Sequence, residues 1–270
     1  MSAPTSTSTI IRSVLLLGLL LLAATVAAPH GAGAADPGFQ LYLLIGQSNM
    51  AGRGKVDAQS AEADPRVLML NKERQWVPAV DPLHFDKPGA GVGPGLAFGK
   101  AMAAAAPGTR IGLIPCAVGG SSITVWVPGA ADAATKTHPY DDMLARVTPA
   151  LAQGTLKGIL WHQGESDRGA ASAYAEELTA LVKRLRQDLG APAVPFVAGE
   201  LAVFKADNQP VTTAFNAILH GLEGRIPAYA VVSAAGLTDR GDQLHFDTPS
   251  ARTLGMRYAA AMRELQGRKP

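Results

Sequence analysis

Short apolar runs alternate with longer amphipathic or alanine-rich stretches along this chain, and that alternation permits few architectures. Runs at residues 41–45, 67–70, 111–115, 158–162, 195–199 and 230–233 have strand length and are apolar at successive positions. A strand with both faces covered reads this way, whereas a half-exposed strand alternates apolar with polar. Between the runs, residues 94–106, 140–153, 170–189, 211–222 and 249–265 read as helices. Strand, helix, strand in repetition predicts an α/β fold: a mostly parallel sheet of five or six strands with helices packed on it. Residues 71–93 and 127–138 are long, rich in Gly, Pro and Asp, and lack a clean period. They read as loops, and loops of that length often wall a substrate cleft.

Composition fits such a core. Of 270 residues, 47% are hydrophobic and 17% charged, enough for one domain with a large interior. The first 35 residues differ from the rest. A Ser/Thr-rich start and Arg12 precede an apolar block at 14–28, and small residues follow around 31–35. That is the pattern of a secretory signal peptide, with cleavage expected after Ala34 or Ala35, leaving residues 36–270 as a single domain in a secreted or periplasmic protein. The block is short for a membrane span, so no stable membrane insertion is expected after cleavage. Removing the leader lowers Lys+Arg from 24 to 23 against 22 Asp+Glu. A balance that even offers no basic field for nucleic acid. Cys116, the lone cysteine, cannot form an internal disulfide and lies in an apolar run, where it reads as a buried structural thiol. Neither a heptad seam nor an oversized apolar stripe stands out, so the sequence assigns no oligomeric state. No pairing of Cys, His or carboxylate has metal-ligand spacing, so neither metal nor other cofactor is expected.

The polar motifs carry the chemistry. Gly46-Gln47-Ser48-Asn49 directly follows the first apolar run, so the Ser48 hydroxyl is expected at a strand's carboxyl end, where open α/β sheets place their sites. Serine needs a base, and an imidazole base needs a carboxylate to fix its tautomer. Asp242-Gln243-Leu244-His245 supplies both within about one turn, close enough for the Asp242 carboxylate to meet Nδ1 of His245. Gly119-Gly120 and His162-Gln163-Gly164-Glu165 follow two further strands. Backbone N–H groups of Ser48 and Gly120 and the side-chain amide of Gln163 are the expected donors to an oxyanion. His162 reads as a structural histidine ending a buried strand. Trp126, Trp161 and Arg53 lie close to these motifs and are weaker candidates for sugar contacts; the tryptophans read equally as core.

These blocks resemble those of SGNH (GDSL-like) hydrolases of the sialate O-acetylesterase and carbohydrate esterase family 6 type, which include acetylxylan esterases. The matching pieces are residues 45–52, 117–123 with Trp126, 161–167 and 242–246, in the family's order. The resemblance implies a flavodoxin-like three-layer α/β/α sandwich and removal of acetyl groups from sugars. It implies a triad of Ser48, Asp242 and His245, with Gly120 and Gln163 as oxyanion donors. The wider superfamily has Asn where this chain has Gln163, and Glu165 is an alternative acid to Asp242. Acetylated xylan, a related polysaccharide and O-acetylated sialic acid are all open as substrates. A broad small-ester carboxylesterase and a non-catalytic glycan-binding protein are the competing readings.

Overall fold

The computed structural model describes residues 1–2 and 35–267. The expected leader lies outside the described residues. Seven strands form one sheet: β1 (Asp36–Gly46), β2 (Val67–Leu70), β3 (Trp76–Pro78), β4 (Arg110–Pro115), β5 (Gly154–His162), β6 (Phe196–Gly199) and β7 (Tyr229–Val232), ordered β3-β2-β4-β1-β5-β6-β7. Every pairing is parallel except that of β3 with β2. The helices are α1 (Ser48–Ala51), α2 (Pro94–Ala105), α3 (Pro139–Leu151), α4 (Tyr174–Asp188), α5 (Gln209–His220) and α6 (Thr248–Gly267).

The two-sided burial of β1 is the organising fact. Phe39, Leu41, Leu43 and Ile45 join a core with residues of α3, α4 and α5, while Tyr42 and Leu44 join a second core with residues of α2 and α6. Alternate side chains of one strand thus feed opposite faces, as the twofold strand period requires. The result is a three-layer α/β/α sandwich. From the central β1 the chain crosses to β2 and the edge strand β3, returns to β4 beside β1, and then builds outward on the other side through β5, β6 and β7. The order reverses at β1, and open sheets bind ligands beyond the carboxyl ends of the strands at such a point.

Two expectations change. The sheet has seven strands because β3 lies inside residues 71–93, read as loop. Asn71 folds the hairpin, its Oδ1 accepting from the Gln75 N–H at 2.8 Å. Trp76 then packs edge-on against Phe39 with ring centroids 4.8 Å apart. Three residues are too few to show a period. The helix expected over 170–189 starts only at Tyr174; a 3-10 segment (Arg168–Ala173) precedes it and breaks at Ala170, whose φ is −140°.

Candidate active site

Three segments leave the carboxyl ends of adjacent strands and meet. Gly46 ends β1 with φ +124°, and a Cβ there would lie 2.1 Å from the His162 carbonyl oxygen, so only glycine lets the first turn press against β5. The chain enters α1 at once, placing Ser48 at the cleft floor, 7% exposed. Gly119 and Gly120 follow β4, and Gly120 has φ +87°, again a glycine conformation. Gln163, Gly164 and Glu165 follow β5. A cleft of about 270 Å³ opens here, lined by Ser48, Arg53, Gly120, Glu165 and His245 among others.

His245 arrives from the loop between β7 and α6. Its Nε2 lies 3.1 Å from Ser48 Oγ and its Nδ1 2.8 Å from Asp242 Oδ2. Asp242 Oδ1 accepts from the backbone N–H groups of Leu244 (3.0 Å) and His245 (2.8 Å). Burial works against the carboxylate, but these N–H groups and the ring outweigh it and hold Asp242 below the usual value of 3.8. A carboxylate on Nδ1 keeps the proton there and leaves Nε2 free to accept from a hydroxyl.

Asn49 ties this loop to the serine segment. Its Nδ2 donates to the Leu244 carbonyl at 3.1 Å and to Glu165 Oε1 at 2.5 Å, while its Oδ1 accepts from the Phe246 N–H at 3.1 Å. His245 is therefore gripped on both sides through its neighbours. Phe246 anchors the same loop by packing edge-on against His162 and Phe204, at 5.5 and 5.3 Å. Sequence reasoning passed over Asn49, although it stands beside Ser48. Nothing local links position 49 to the carbonyl of residue 244; only the fold does.

Glu165, the alternative acid, forms no hydrogen bond with His245. Its carboxylate is held by Asn49 and lies 3.6 Å from His162 Nε2. Burial opposes its charge, yet His162 and Asn49 overcome that and keep it below the ordinary value. His162 is fully buried, with Nδ1 3.2 Å from the Tyr258 hydroxyl.

The remaining expectations divide. Among the described residues, the N–H groups of Ser48 and Gly120 have no hydrogen-bond partner and both residues line the cleft. Gln163 does not take the place expected of it. It is wholly buried, and its amide donates to Gln47 Oε1 (3.1 Å), the Ser121 carbonyl (3.0 Å) and Asp167, leaving no hydrogen to turn toward a substrate. Tyr174 donates to its Oε1 at 2.8 Å, which fixes the amide's orientation. Gln163 thereby braces the serine segment against the loop after β4. Trp126 and Trp161 are not sugar platforms either. Both are fully buried and pack edge-to-face at 5.4 Å, with Trp126 donating to Ser121 Oγ at 3.0 Å. Arg53 does line the cleft, held by Asp86 at 2.7 Å; Asp86 also accepts from the Gly119 N–H at 2.9 Å and so positions the glycine turn.

A mostly parallel sheet carrying a serine, an imidazole and a carboxylate in one hydrogen-bonded line at its carboxyl edge fits the architecture of SGNH-type hydrolases. Residues 38–264 match the family model for carbohydrate esterases described as sialic acid-specific acetylesterases, and the chain belongs to that family. It is a carboxylic ester hydrolase whose family acts on acetylated sugars. A probable carbohydrate esterase of Arabidopsis thaliana is 32% identical over 248 residues, covering 83% of this chain and 90% of the relative. The solved Arabidopsis structure superposes with a TM-score of 0.73 at 31% identity, over 85% of this chain and 99% of that one. Two more distant structures share the fold. NanS has a TM-score of 0.68 at 18% identity over 86% of this chain and 98% of its own. A carbohydrate acetylesterase from Xanthomonas citri has 0.60 at 22% over 83% and 56%.

Proposed function

We propose that this protein is a secreted serine carbohydrate O-acetylesterase working through an acyl-enzyme on Ser48. The observation that carries the reading is the continuous line from Ser48 Oγ through His245 to Asp242, at 3.1 and 2.8 Å. His245 Nε2 takes the hydroxyl proton as Ser48 Oγ attacks the acetyl carbonyl, and Asp242 stabilises the imidazolium. The N–H groups of Ser48 and Gly120 receive the negative charge that develops on the carbonyl oxygen, a contribution of about 2.7–4 kcal/mol per well-placed donor. His245 returns the proton to the departing sugar hydroxyl. Water then repeats the sequence and releases acetate.

The cleft lining favours a sugar over a long acyl chain. Arg53, Lys87, Glu165 and Ser166 present charge and hydroxyl around Ser48, and the exposed Leu244 is the large apolar side chain among the described lining residues. A broad esterase for small acyl esters is favoured by a wide, mostly apolar acyl pocket, which this lining does not form. The assembled Ser48, His245 and Asp242 line weighs against a glycan binder without catalysis. Secretion rests on the apolar block at 14–28 and the small residues after it. Among the described residues no helix is long and apolar enough to cross a membrane.

Acetate release from acetylated xylan, O-acetylated sialic acid and a chromogenic aryl acetate tests the reading. Turnover of at least one sugar substrate in preference to the aryl ester, abolished by Ser48→Ala, is expected. No acetate from either sugar would overturn it.

A further inference from the structure

A second cavity adjoins the catalytic cleft and has no part in the chemistry described above. It encloses about 310 Å³. Asp86 belongs to its wall, and the same carboxylate holds Arg53 and the Gly119 N–H, both of which face the cleft. Val118 lines the cavity and Gly119, the next residue, lines the cleft. The partition between the two spaces is therefore one side chain and one peptide thick.

The charge of this cavity is unbalanced. Lys72 and Arg74, from the β2–β3 hairpin, and Arg146, from α3, line it, and none of the three forms an ion pair with a described residue. Arg146 is fixed in place: Nη2 donates to the carbonyls of Leu70 (2.8 Å) and Asn71 (3.0 Å), and the guanidinium stacks on the Phe85 ring at 4.6 Å. Two carboxylates share the lining. Asp86 is paired with Arg53, and Asp142 accepts from the His138 N–H at 2.9 Å but has no paired cation among the described residues, so three cations stand against one unpaired carboxylate and the excess is positive. Burial pushes the Cys116 thiol up to about 12 despite the nearby Arg146, so it supplies no counter-charge at neutral pH. Phe85, 39% exposed, adds an aromatic face of the kind that packs on a pyranose ring. A fixed guanidinium flanked by two unpaired cations and an aromatic ring suits a planar carboxylate on a sugar.

We propose that this cavity is a subsite for an acidic sugar, a uronate or sialate unit, attached to or part of the acetylated carbohydrate whose ester lies at Ser48. The proposal rests on the esterase reading for its substrate and on the cavity's own charge for its ligand. Lys72 and Arg74 draw in the carboxylate, Arg146 fixes its plane, and the acetylated position reaches over the Asp86–Gly119 partition to the serine.

Binding to the full chain carrying Ser48→Ala, measured by titration calorimetry, separates the two readings because it needs no turnover. Three probes are used: neutral xylotriose, xylotriose bearing a glucuronic acid branch, and free N-acetylneuraminic acid. At least one acidic probe is expected to bind about five- to tenfold tighter than xylotriose at low salt, the advantage shrinking as salt is raised. Which acidic probe shows it identifies the source of the carboxylate. Lys72→Ala with Arg74→Ala should erase the advantage, and Lys72→Arg with Arg74→Lys should keep it. Equal affinities for acidic and neutral probes, or an acidic preference that survives the alanine pair, would overturn the subsite. If the parent enzyme releases no acetate while the acidic preference stands, the esterase reading fails and the subsite remains. Acetate release without acidic preference fails only the subsite.

Discussion

Replacing Asn49 with alanine tests whether His245 is held by its neighbours as the geometry indicates. Asn49 is 4% exposed and makes three hydrogen bonds that join three segments. Asn49→Ala removes the donor at Glu165 Oε1, a charged partner whose Oε2 has none, and unpairs the Leu244 carbonyl and the Phe246 N–H. A lost bond to a charged group costs about 1.5–3 kcal/mol, and each unsatisfied buried backbone group about 1–3. The sum is about 3.5–9 kcal/mol, with water in the vacated space bringing it to the lower end. Part appears as lower stability in urea unfolding. The rest appears in rate, because the loop carrying His245 loses its fixed distance to Ser48, and a misplacement of about 1 Å can cost about a hundredfold. With an aryl acetate, kcat should fall about ten- to a hundredfold while KM stays within about twofold, since Asn49 does not line the cleft. Asn49→Asp keeps the volume but sets a second carboxylate against Glu165, so its activity should recover on acidification where that of Asn49→Ala does not. A stability loss with kcat within about twofold of the parent would refute the positioning role.

Further predictions follow from other groups. Asp242→Asn leaves the loop's size unchanged but removes the charge and the tautomer control on Nδ1, so kcat should drop about 10³- to 10⁴-fold, with urea stability nearly unchanged. Trp126→Phe leaves Ser121 Oγ without its indole donor and should lower stability by about 1–3 kcal/mol without raising KM for an acetylated oligosaccharide; a large KM change with unchanged stability would restore a sugar-contact role. Burial raises the Asp81 carboxyl to about 7, against the opposing pull of Arg252. Its folded value lies above the unfolded one, so the folded state holds the proton and loses stability as pH rises from about 4 to 7. Asp81→Asn should therefore gain on the parent in urea midpoint between pH 5 and pH 8, as about 2–4 kcal/mol of linkage is removed; a pH-independent difference would show that Asp81 ionises normally. The N–H of Gly120 is a proposed oxyanion donor whose φ of +87° an alanine strains, so Gly120→Ala should lower kcat by about tenfold or more.

How far the sequence could be read depended on whether the signal was local. Continuous apolar runs marked six of the seven strands, because a strand buried on both faces has no polar positions to interrupt it. β3 escaped because it is short and its strand character comes from pairing with β2. The serine, the Asp242 to His245 pair and the glycine turn after β4 were legible from the chemistry each needs and from their places after strands. The side chains that hold them were not. Asn49 reaches the loop at 244–246, and Gln163 reaches Gln47 and Ser121, across separations that no spacing rule spans. Trp126 and Trp161 show the same limit from the other direction: a tryptophan beside a site motif looks alike in sequence whether it faces the cleft or the core, and here both face inward. Of the loops at 71–93 and 127–138, expected to wall a cleft, the first does so through Lys87, and Arg74, Phe85 and Thr137 of the two line the cavity beside it.

Covalent acetylation of Ser48 is the step on which the mechanism stands, and mass spectrometry of protein quenched in acid during turnover of an aryl acetate measures it directly. The expected result is an acetyl group on the peptide containing Ser48, absent from Ser48→Ala, with acetate release by that variant lost in parallel. Acetate released at the parent rate by Ser48→Ala, or an acetyl group found on another residue and unaffected by that substitution, would contradict it.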